Sequence, residues 1–309
     1  MMRLVFMVTG QISEATFSDA LTNEHEVVGL VTQPDRPVGR KQVMTAPKVK
    51  EIALDAGVPV IQPESVREPK ALDQIRQWDP ELVVVMAYGQ ILPQALLDIP
   101  SRAIINLHAS LLPKYRGASC IQAALKNGDA ETGWSVIHVV KRLDSGNIIL
   151  QKAISILEGE TGGELHDRLA DAGPAVCRAA LEMFKNGLVE GDHQNESRQT
   201  YVPKLGRKDG CLDWSRPARE LECLVRAFHP WPGTSAGLGL KKMKIFPPTK
   251  ISGGQGQPGE LLEVGEETIE IACGSGSLIL CEVQLEGSRR MNGGELARGH
   301  LDMLRAGLK

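Results

Sequence analysis

The amino-acid sequence lacks any long apolar segment. Its first apolar run covers residues 4–8, which is too short for the core of a secretory signal peptide. No other run approaches the roughly 18 apolar residues that a transmembrane helix needs. We therefore expect a cytoplasmic protein without a membrane partner, and we expect it to be a monomer.

Metal-binding and dinucleotide-binding motifs are also missing. The six cysteines are scattered, without a Cys-x-x-Cys pair or a nearby histidine at the spacing of zinc ligands. The first predicted strand leads only to Gly10, where a dinucleotide-binding loop would have the pattern Gly-x-Gly-x-x-Gly. The sequence thus predicts no metal site and argues against a nicotinamide-dependent oxidoreductase.

Charge is unevenly distributed along the chain. The formal net charge is -3, yet residues 201–250 contain ten Lys and Arg against four Asp and Glu. A basic segment on an acidic protein is typical of a surface that binds an anionic partner. A solvated basic face would have the same composition, so composition alone leaves both interpretations open.

The first half of the chain alternates between strand-like and helix-like segments. Continuous apolar runs predict strands at residues 4–8, 27–31, 58–61, 82–86 and 103–107. Helical spacing of apolar residues predicts helices at 49–56, 71–78, 120–126 and 164–185. This alternation predicts an α/β fold with a Rossmann-like parallel sheet covered on both faces. We expect a kink or a boundary in the last helix at Pro174, which lacks a backbone N–H.

The second half of the chain has a different pattern. A polar stretch at 188–210 predicts a linker between a first domain at 1–187 and a second domain at 211–309. The second domain begins with a helix-like segment at 218–228. Short apolar runs separated by glycines then predict strands at 243–246, 261–264, 268–273 and 277–283. Short strands with frequent glycine turns favour a small antiparallel β-barrel.

Three polar residues have the pattern of an acyl-transfer site. Asn106 ends a predicted strand, and ligands of open α/β sheets bind beyond such ends. Its amide could donate to a carbonyl oxygen on which negative charge develops. His108 lies two residues further, so both side chains point to one side of an extended segment, and an imidazole suits proton transfer. Asp144, in a predicted turn, could orient His108 or could only stabilise that turn.

The segments around these residues carry a family resemblance. In the first domain they are NLH at 106–108, SLLPKYRG at 110–117, LDSG at 143–146, TQPDRP at 32–37, GVPVIQP at 57–63, AYGQILP at 87–93 and GDAETG at 128–133. In the second domain they are DW at 213–214 and RAFHPWPG at 226–233. Together they resemble the folate-dependent N-formyltransferases over nearly the full length of the chain. Within that superfamily, they are similar to the members that act on aminoacylated initiator tRNA.

The resemblance implies a formyltransferase domain followed by a small OB-like β-barrel. The implied activity is transfer of the formyl group of 10-formyltetrahydrofolate to the α-amino group of methionine on initiator tRNA. Asn106 would hold the formyl oxygen, His108 would accept the amine proton or support the charged intermediate, and Asp144 would organise His108. The implied folate-binding residues are Tyr88, Gly89, Ser110, Leu111, Leu112 and Pro113. No metal is implied.

The resemblance also implies a tRNA-binding surface. In the family, a loop that corresponds to residues 33–50 meets the acceptor end of the tRNA, and the second domain continues the basic surface. The implied tRNA-binding residues are Arg36, Arg40, Lys41, Lys204, Lys241 and Lys242. Contacts from such residues to phosphates would make the affinity salt-dependent.

Other acceptors and other classes of protein stay open. Folate-dependent enzymes that formylate a nucleotide-linked amino sugar share the Asn, His and Asp set and have a similar second domain. The segments 32–37 and 226–233 and the two basic segments favour tRNA over the sugar. Formylation of glycinamide ribonucleotide would need only the first domain. A tRNA-binding protein without catalysis would keep the fold and the charge but would not need all three polar residues.

Overall fold

The computed structural model describes residues 1–39, 41–185 and 187–309. Its strands are β1 Arg3–Val8, β2 Glu26–Val31, β3 Arg36–Val38, β4 Val43–Thr45, β5 Val60–Ile61, β6 Leu82–Met86, β7 Ala103–His108, β8 Arg116–Gly117, β9 Glu131–His138, β10 Ile148–Ser155, β11 Tyr201–Val202, β12 Thr234–Leu238, β13 Lys241–Ser252, β14 Leu261–Val264, β15 Ile269–Ala272, β16 Ser277–Leu285 and β17 Met291–Asn292. Its α-helices are α1 Glu14–Ala20, α2 Lys48–Asp55, α3 Pro69–Gln77, α4 Gln94–Leu97, α5 Cys120–Lys126, α6 Gly162–Lys185, α7 Ala218–Ala227 and α8 Gly293–Arg305.

The chain forms two compact units that are not contiguous in sequence. The first unit consists of Met1–Gly117, Thr132–Ile154 and His166–Tyr201. The second unit consists of Ala118–Glu131, Ser155–Leu165 and Val202–Lys309. Residues 118–131 and 155–165 therefore pack with the second unit, whereas residues 188–201 of the predicted linker pack with the first. The contiguous domain boundaries at 187 and 211 stay a prediction.

A seven-stranded sheet organises the first unit, in the order β10-β9-β7-β6-β1-β2-β5. The strands β5, β2, β1, β6 and β7 pair in parallel, and β9 pairs antiparallel to β7. Val5, Val83 and Ile105 from the predicted strands are fully buried. The predicted α/β fold with a mostly parallel sheet is confirmed. Parallel pairing brings the carboxyl ends of β1, β6 and β7 to one edge of the sheet.

The contact between α1 and the sheet gives a test of this packing. Phe17 of α1 is 0% exposed, and its ring meets that of Phe6 edge to face with centroids 5.4 Å apart. Replacing Phe17 by Ala should lower the free energy of unfolding by about 3–5 kcal/mol, because the substitution leaves a cavity. Urea denaturation followed by circular dichroism measures this loss. A loss below about 1 kcal/mol, similar to the loss from Val38→Ala at an exposed position, would contradict the packing.

Of the two outcomes predicted at Pro174, a kink or a boundary, the boundary is wrong. The helix α6 runs from Gly162 to Lys185 with Pro174 inside it. Buried apolar residues lie on both sides of the proline, including Leu169 and Phe184 at 0% exposure. We attribute the continuous helix to this burial, which outweighs the one backbone hydrogen bond that proline removes. Neither α6 nor any other helix in the described part of the chain is long and apolar enough to cross a membrane.

An antiparallel sheet organises the second unit, in the order β12-β13-β16-β15-β14 with β17 beside β16. The helix α7 packs against β13, and α5 packs against α7. The last residues of the chain link the two edges of this sheet. Lys309 exchanges backbone hydrogen bonds of 2.6 and 2.9 Å with Gly237 of β12, and the Leu308 N–H donates to the Gly259 carbonyl, just before β14, at 2.8 Å. The predicted antiparallel arrangement of the second domain is confirmed. The helix α8 is an additional element that was not predicted from the sequence.

Candidate active site

The carboxyl end of β7 positions two of the three predicted residues. Strand β7 lies beside β6, with Asn106 opposite Val85. Asn106 and His108 are separated by one residue, so the alternation of side chains along a strand places them on the same side. Asp144 comes from the turn between β9 and β10. The structure brings the three side chains together.

The Asp144 carboxylate lies between the other two side chains. Its Oδ1 is 3.5 Å from the Nδ2 of Asn106, which donates to it. Its Oδ2 is 3.7 Å from the Nδ1 of His108. The side chains of His108 and Asp144 are only 7% and 9% exposed, so the pair is largely shielded from water. At these distances the carboxylate can stabilise a positive charge on the imidazole.

A backbone carbonyl determines which nitrogen of His108 carries hydrogen. The Nε2 of His108 is 2.8 Å from the carbonyl oxygen of Tyr115. Because a carbonyl oxygen can only accept, Nε2 is the donor in this contact. In the neutral imidazole, Nδ1 then carries a lone pair on the side that faces Asp144. This tautomer leaves Nδ1 able to accept a proton.

The backbone of Asp144 has an uncommon conformation. Its φ is +47°, in the left-handed region that side chains other than glycine rarely adopt. The Gly117 N–H donates to Oδ2 of Asp144 at 2.8 Å. This hydrogen bond fixes the carboxylate with one oxygen toward Gly117 and His108 and the other toward Asn106.

The loop after β7 is held by a hydrogen bond within itself and by one from β9. The Ser110 hydroxyl donates to the Lys114 carbonyl at 2.7 Å, and the Ser135 hydroxyl donates to the Ser110 carbonyl at 2.6 Å. Ser110 and Leu112 are buried, whereas Leu111 and Pro113 are partly exposed. Among the predicted folate-binding residues of this loop, Leu111 and Pro113 therefore have surface available for a ligand.

The segment after β6 lies beside the end of β7. Tyr88 packs in the hydrophobic core at 2% exposure, and burial raises the pKa of its hydroxyl. Its carbonyl accepts from the Nε2 of Gln33 at 3.0 Å. Ala87 and Gly89 are exposed and have φ values of +50° and +86°. The tyrosine ring thus packs in the core, and the exposed residues Ala87 and Gly89 are the part of this segment that a ligand could contact.

The predicted tRNA-binding residues are exposed wherever the structure describes them. Arg36 lies on the hairpin of β3 and β4 and pairs with Glu64 at 2.7 Å. Arg40 lies outside the described residues. Lys41 is exposed in the first unit, and Lys204, Lys241 and Lys242 are exposed in the second. The segment predicted as a loop contains this hairpin, whose residues Val38 and Met44 are 56% and 63% exposed.

Three contributors to the site were not predicted from the sequence. The Tyr115 carbonyl holds His108, while Arg116 and Gln194 support the turn that carries Asp144. A carbonyl contact has no signature in a sequence. Arg116 belongs to the matched segment 110–117, but Gln194 lies in a polar stretch without any such signal.

Two domain families match most of the chain. Residues 2–181 match the formyl transferase family, and residues 204–301 match its C-terminal domain family. The chain therefore belongs to the formyl transferase family. In the described residues, no group of three or more His, Cys, Asp or Glu side chains could hold a metal ion.

Relatives specify the branch of this family. The methionyl-tRNA formyltransferase of Akkermansia muciniphila is 50% identical over 305 residues, which is 97% of each chain. The methionyl-tRNA formyltransferase of Geobacter sulfurreducens is 41% identical over 96% of this chain and 94% of its own. Within the family, this chain groups with the methionyl-tRNA formyltransferases.

A solved structure supports the fold. An N-formyltransferase from Helicobacter canadensis, crystallised with folinic acid and dTDP-3-aminofucose, superposes with a TM-score of 0.69. The match covers 92% of this chain and 100% of the other, at 17% sequence identity. At this identity the similarity establishes the shared architecture.

Proposed function

We propose that this protein transfers the formyl group of 10-formyltetrahydrofolate to the α-amino group of methionine on initiator tRNA, in the cytoplasm and as a monomer. The observation that carries the proposal is the convergence of Asn106, His108 and Asp144 at the end of β7. This convergence occurs in a chain that is 50% identical to a methionyl-tRNA formyltransferase. The product would be the formylated initiator for protein synthesis.

The residues around the site fit a folate cosubstrate. When bound, the cosubstrate supplies the formyl group. The exposed Ala87 and Gly89 and the partly exposed Leu111 and Pro113 offer surface for its ring system. A related fold crystallised with folinic acid supports a folate-type ligand.

Asn106 would stabilise the charge that develops during transfer. Attack of an amine on a formyl carbon makes a tetrahedral intermediate with a negative oxygen. Asn106 has a second amide hydrogen in addition to the one directed at Asp144, and this hydrogen can be donated to that oxygen. Its contact with Asp144 holds the amide in place before the reaction.

His108 and Asp144 would handle the amine proton. The attacking nitrogen becomes positively charged and must lose a proton. Nδ1 of His108 can accept it, because Nε2 already donates to the Tyr115 carbonyl. The carboxylate of Asp144, 3.7 Å from Nδ1, would stabilise the resulting imidazolium. As the tetrahedral intermediate collapses, the bond between the formyl carbon and N10 of the folate would break, and the imidazolium would return the proton to N10, so that tetrahydrofolate leaves as a neutral amine.

The exposed basic residues would bind the tRNA backbone. Lys241 and Lys242 are adjacent and exposed at the start of β13. Replacing both by Gln should weaken tRNA binding and reduce the slope of log affinity against log salt by about one per lost phosphate contact. Filter binding at several salt concentrations measures this slope. The same slope in the double variant and the wild type would contradict the assignment of Lys241 and Lys242 to the tRNA-binding surface. The control is Lys70→Gln, at an exposed lysine of the first unit.

A nucleotide-linked amino sugar is the second candidate acceptor. The observation in its favour is the shared architecture with a structure crystallised with dTDP-3-aminofucose. Purified protein should be offered both acceptors with the same formyl donor. Formylation of methionyl-tRNA with no formylation of the sugar is expected, and the reverse result would replace the proposed acceptor.

A further inference from the structure

The backbone of the turn that carries Asp144 is held by the side chain of Gln194, a residue distant in sequence. The side chain amide of Gln194 donates two hydrogen bonds of 2.8 Å, one to the Asp144 carbonyl and one to the Gly146 carbonyl. Gln194 is only 9% exposed. Because Asp144 has a φ of +47°, its conformation depends on contacts that hold the surrounding backbone.

Arg116 determines which end of the Gln194 amide faces the turn. The Oε1 of Gln194 accepts from Nε and Nη2 of Arg116 at 3.0 and 2.7 Å. A guanidinium group has only donors, so the oxygen of the amide must face it and the nitrogen must face the turn. With the amide reversed, its NH2 group would face the N–H groups of Arg116, and its oxygen would face the carbonyl oxygens of Asp144 and Gly146.

The guanidinium is itself buried and fixed. The side chain of Arg116 is 4% exposed, and it pairs with Glu196 at 2.8 Å. The hydrogen bond with Arg116 lowers the pKa of the Glu196 carboxyl. Nη1 also donates to Oε1 of Gln199 at 2.6 Å. A planar group with five donors suits these partners, whereas a lysine ammonium could not hold them all in this arrangement.

The residue after Arg116 contacts the same aspartate from the other side. The Gly117 N–H donates to Oδ2 of Asp144 at 2.8 Å. Gly117 has a φ of +108°, which favours glycine at this position. Arg116 therefore supports the backbone of Asp144 through Gln194. Gly117 holds the carboxylate of Asp144 directly.

We propose that Arg116 and Gln194 form a positioning pair, which sets the Asp144 carboxylate against His108 for formyl transfer. The proposal rests on the proposed function for its kinetic consequence. Neither residue contacts the reacting atoms. Their effect passes through the turn that contains Asp144.

The substitution Gln194→Glu tests the pair. It keeps the oxygen that accepts from Arg116 and removes both N–H groups that bind the turn. We expect kcat for formyl transfer to fall roughly 10- to 100-fold, since a misplacement of about 1 Å at a site can have such an effect. KM for the formyl donor and for the tRNA should stay within about twofold, because neither residue binds substrate.

Gln199→Glu is the matched control. Gln199 accepts from the same arginine and, at 3.1 Å, from the exposed side chain of Arg142, but among the described contacts its amide donates no hydrogen bond to the backbone of Asp144 or Gly146. We expect its kcat to stay within about twofold of the wild type. Equal losses of kcat in the two glutamate variants would show general destabilisation around Arg116 and would overturn the proposal.

Arg116→Lys supplies a second test. If the arginine acts by orienting Gln194, the double variant with Gln194→Glu should lose no more activity than the more impaired single variant. Losses that multiply would mean that the two residues act independently, which would contradict a pair.

Amide exchange separates this proposal from the proposed function. The Gly117 N–H should lose protection in Gln194→Glu and keep it in Gln199→Glu, as measured by NMR on each folded variant. Unchanged protection in Gln194→Glu would overturn the positioning pair whatever the enzyme formylates. Wild-type protein that does not formylate methionyl-tRNA, but shows this pattern of exchange, would overturn only the proposed function.

Discussion

The substitution His108→Ala is expected to lower kcat for formyl transfer by about 10²–10⁴-fold, the usual contribution of a positioned general base. It removes Nδ1, whose lone pair faces Asp144 because Nε2 donates to the Tyr115 carbonyl. Without this acceptor, the charged amine of the intermediate must lose its proton to water. Single-turnover kinetics with saturating substrates measure the chemical step directly.

The control for this prediction is His166→Ala. His166 is partly exposed on α6 and contacts Asp167 at 2.9 Å, so its loss should change kcat less than about threefold. A loss below tenfold in His108→Ala, with the protein folded, would show that another group accepts the proton.

The substitution Asn106→Ala is expected to lower kcat by about 10²–10³-fold, equivalent to about 2.7–4 kcal/mol of transition-state stabilisation. It removes the amide donor that would meet the developing negative oxygen. The contact with Asp144 at 3.5 Å is lost as well, which frees the carboxylate on one side. Because the donor acts mainly on the intermediate, KM should change much less than kcat.

A second asparagine provides the comparison for this prediction. Asn147 is the last residue of the turn with Asp144, and its Nδ2 donates to the Glu190 carbonyl at 3.1 Å. Asn147→Ala should therefore keep nearly full activity. A kcat in Asn106→Ala close to that of Asn147→Ala would place the oxyanion donor elsewhere.

Much of the first unit could be predicted because its strands are apolar runs that the parallel sheet buries on both faces. The predicted strand at 103–107 differs from β7 by one residue. Pro174 led to a wrong boundary because burial along α6 is a tertiary effect that local propensity does not include. All residues of β3 and β4 are exposed, so the sequence has no alternation of apolar and polar residues there that would predict the hairpin.

The start of helix α8 has a capping pattern from which the helix could have been predicted. Asn292 caps it by accepting from the Glu295 N–H at 2.7 Å, and Asn followed three residues later by Glu is a typical helix start. Gly293 and Gly294 at its beginning obscure the pattern, since glycine has low helix propensity. Both glycines are buried, and a side chain at either would clash with nearby backbone, so close packing accounts for glycine at these positions.

The candidate site was predictable where one segment determines it and not where distant segments meet. The spacing of Asn106 and His108 follows from the alternation of a strand. Asp144 is 36 residues after His108, and its residue type alone left a structural role open. Gln194 lies in a stretch predicted as a surface linker, and only the fold shows that it is buried against Arg116.

The most direct test of the proposed function and site is formyl transfer from 10-formyltetrahydrofolate to methionine on initiator tRNA, measured for the wild type beside Asn106→Ala and Asn147→Ala. We expect rapid transfer by the wild type and by Asn147→Ala, with a loss of two to three orders of magnitude in Asn106→Ala. Equal rates of transfer by all three proteins would contradict the assignment of Asn106 to the active site. A wild-type protein that binds the folate but transfers no formyl group would contradict the proposal that methionyl-tRNA is the acceptor.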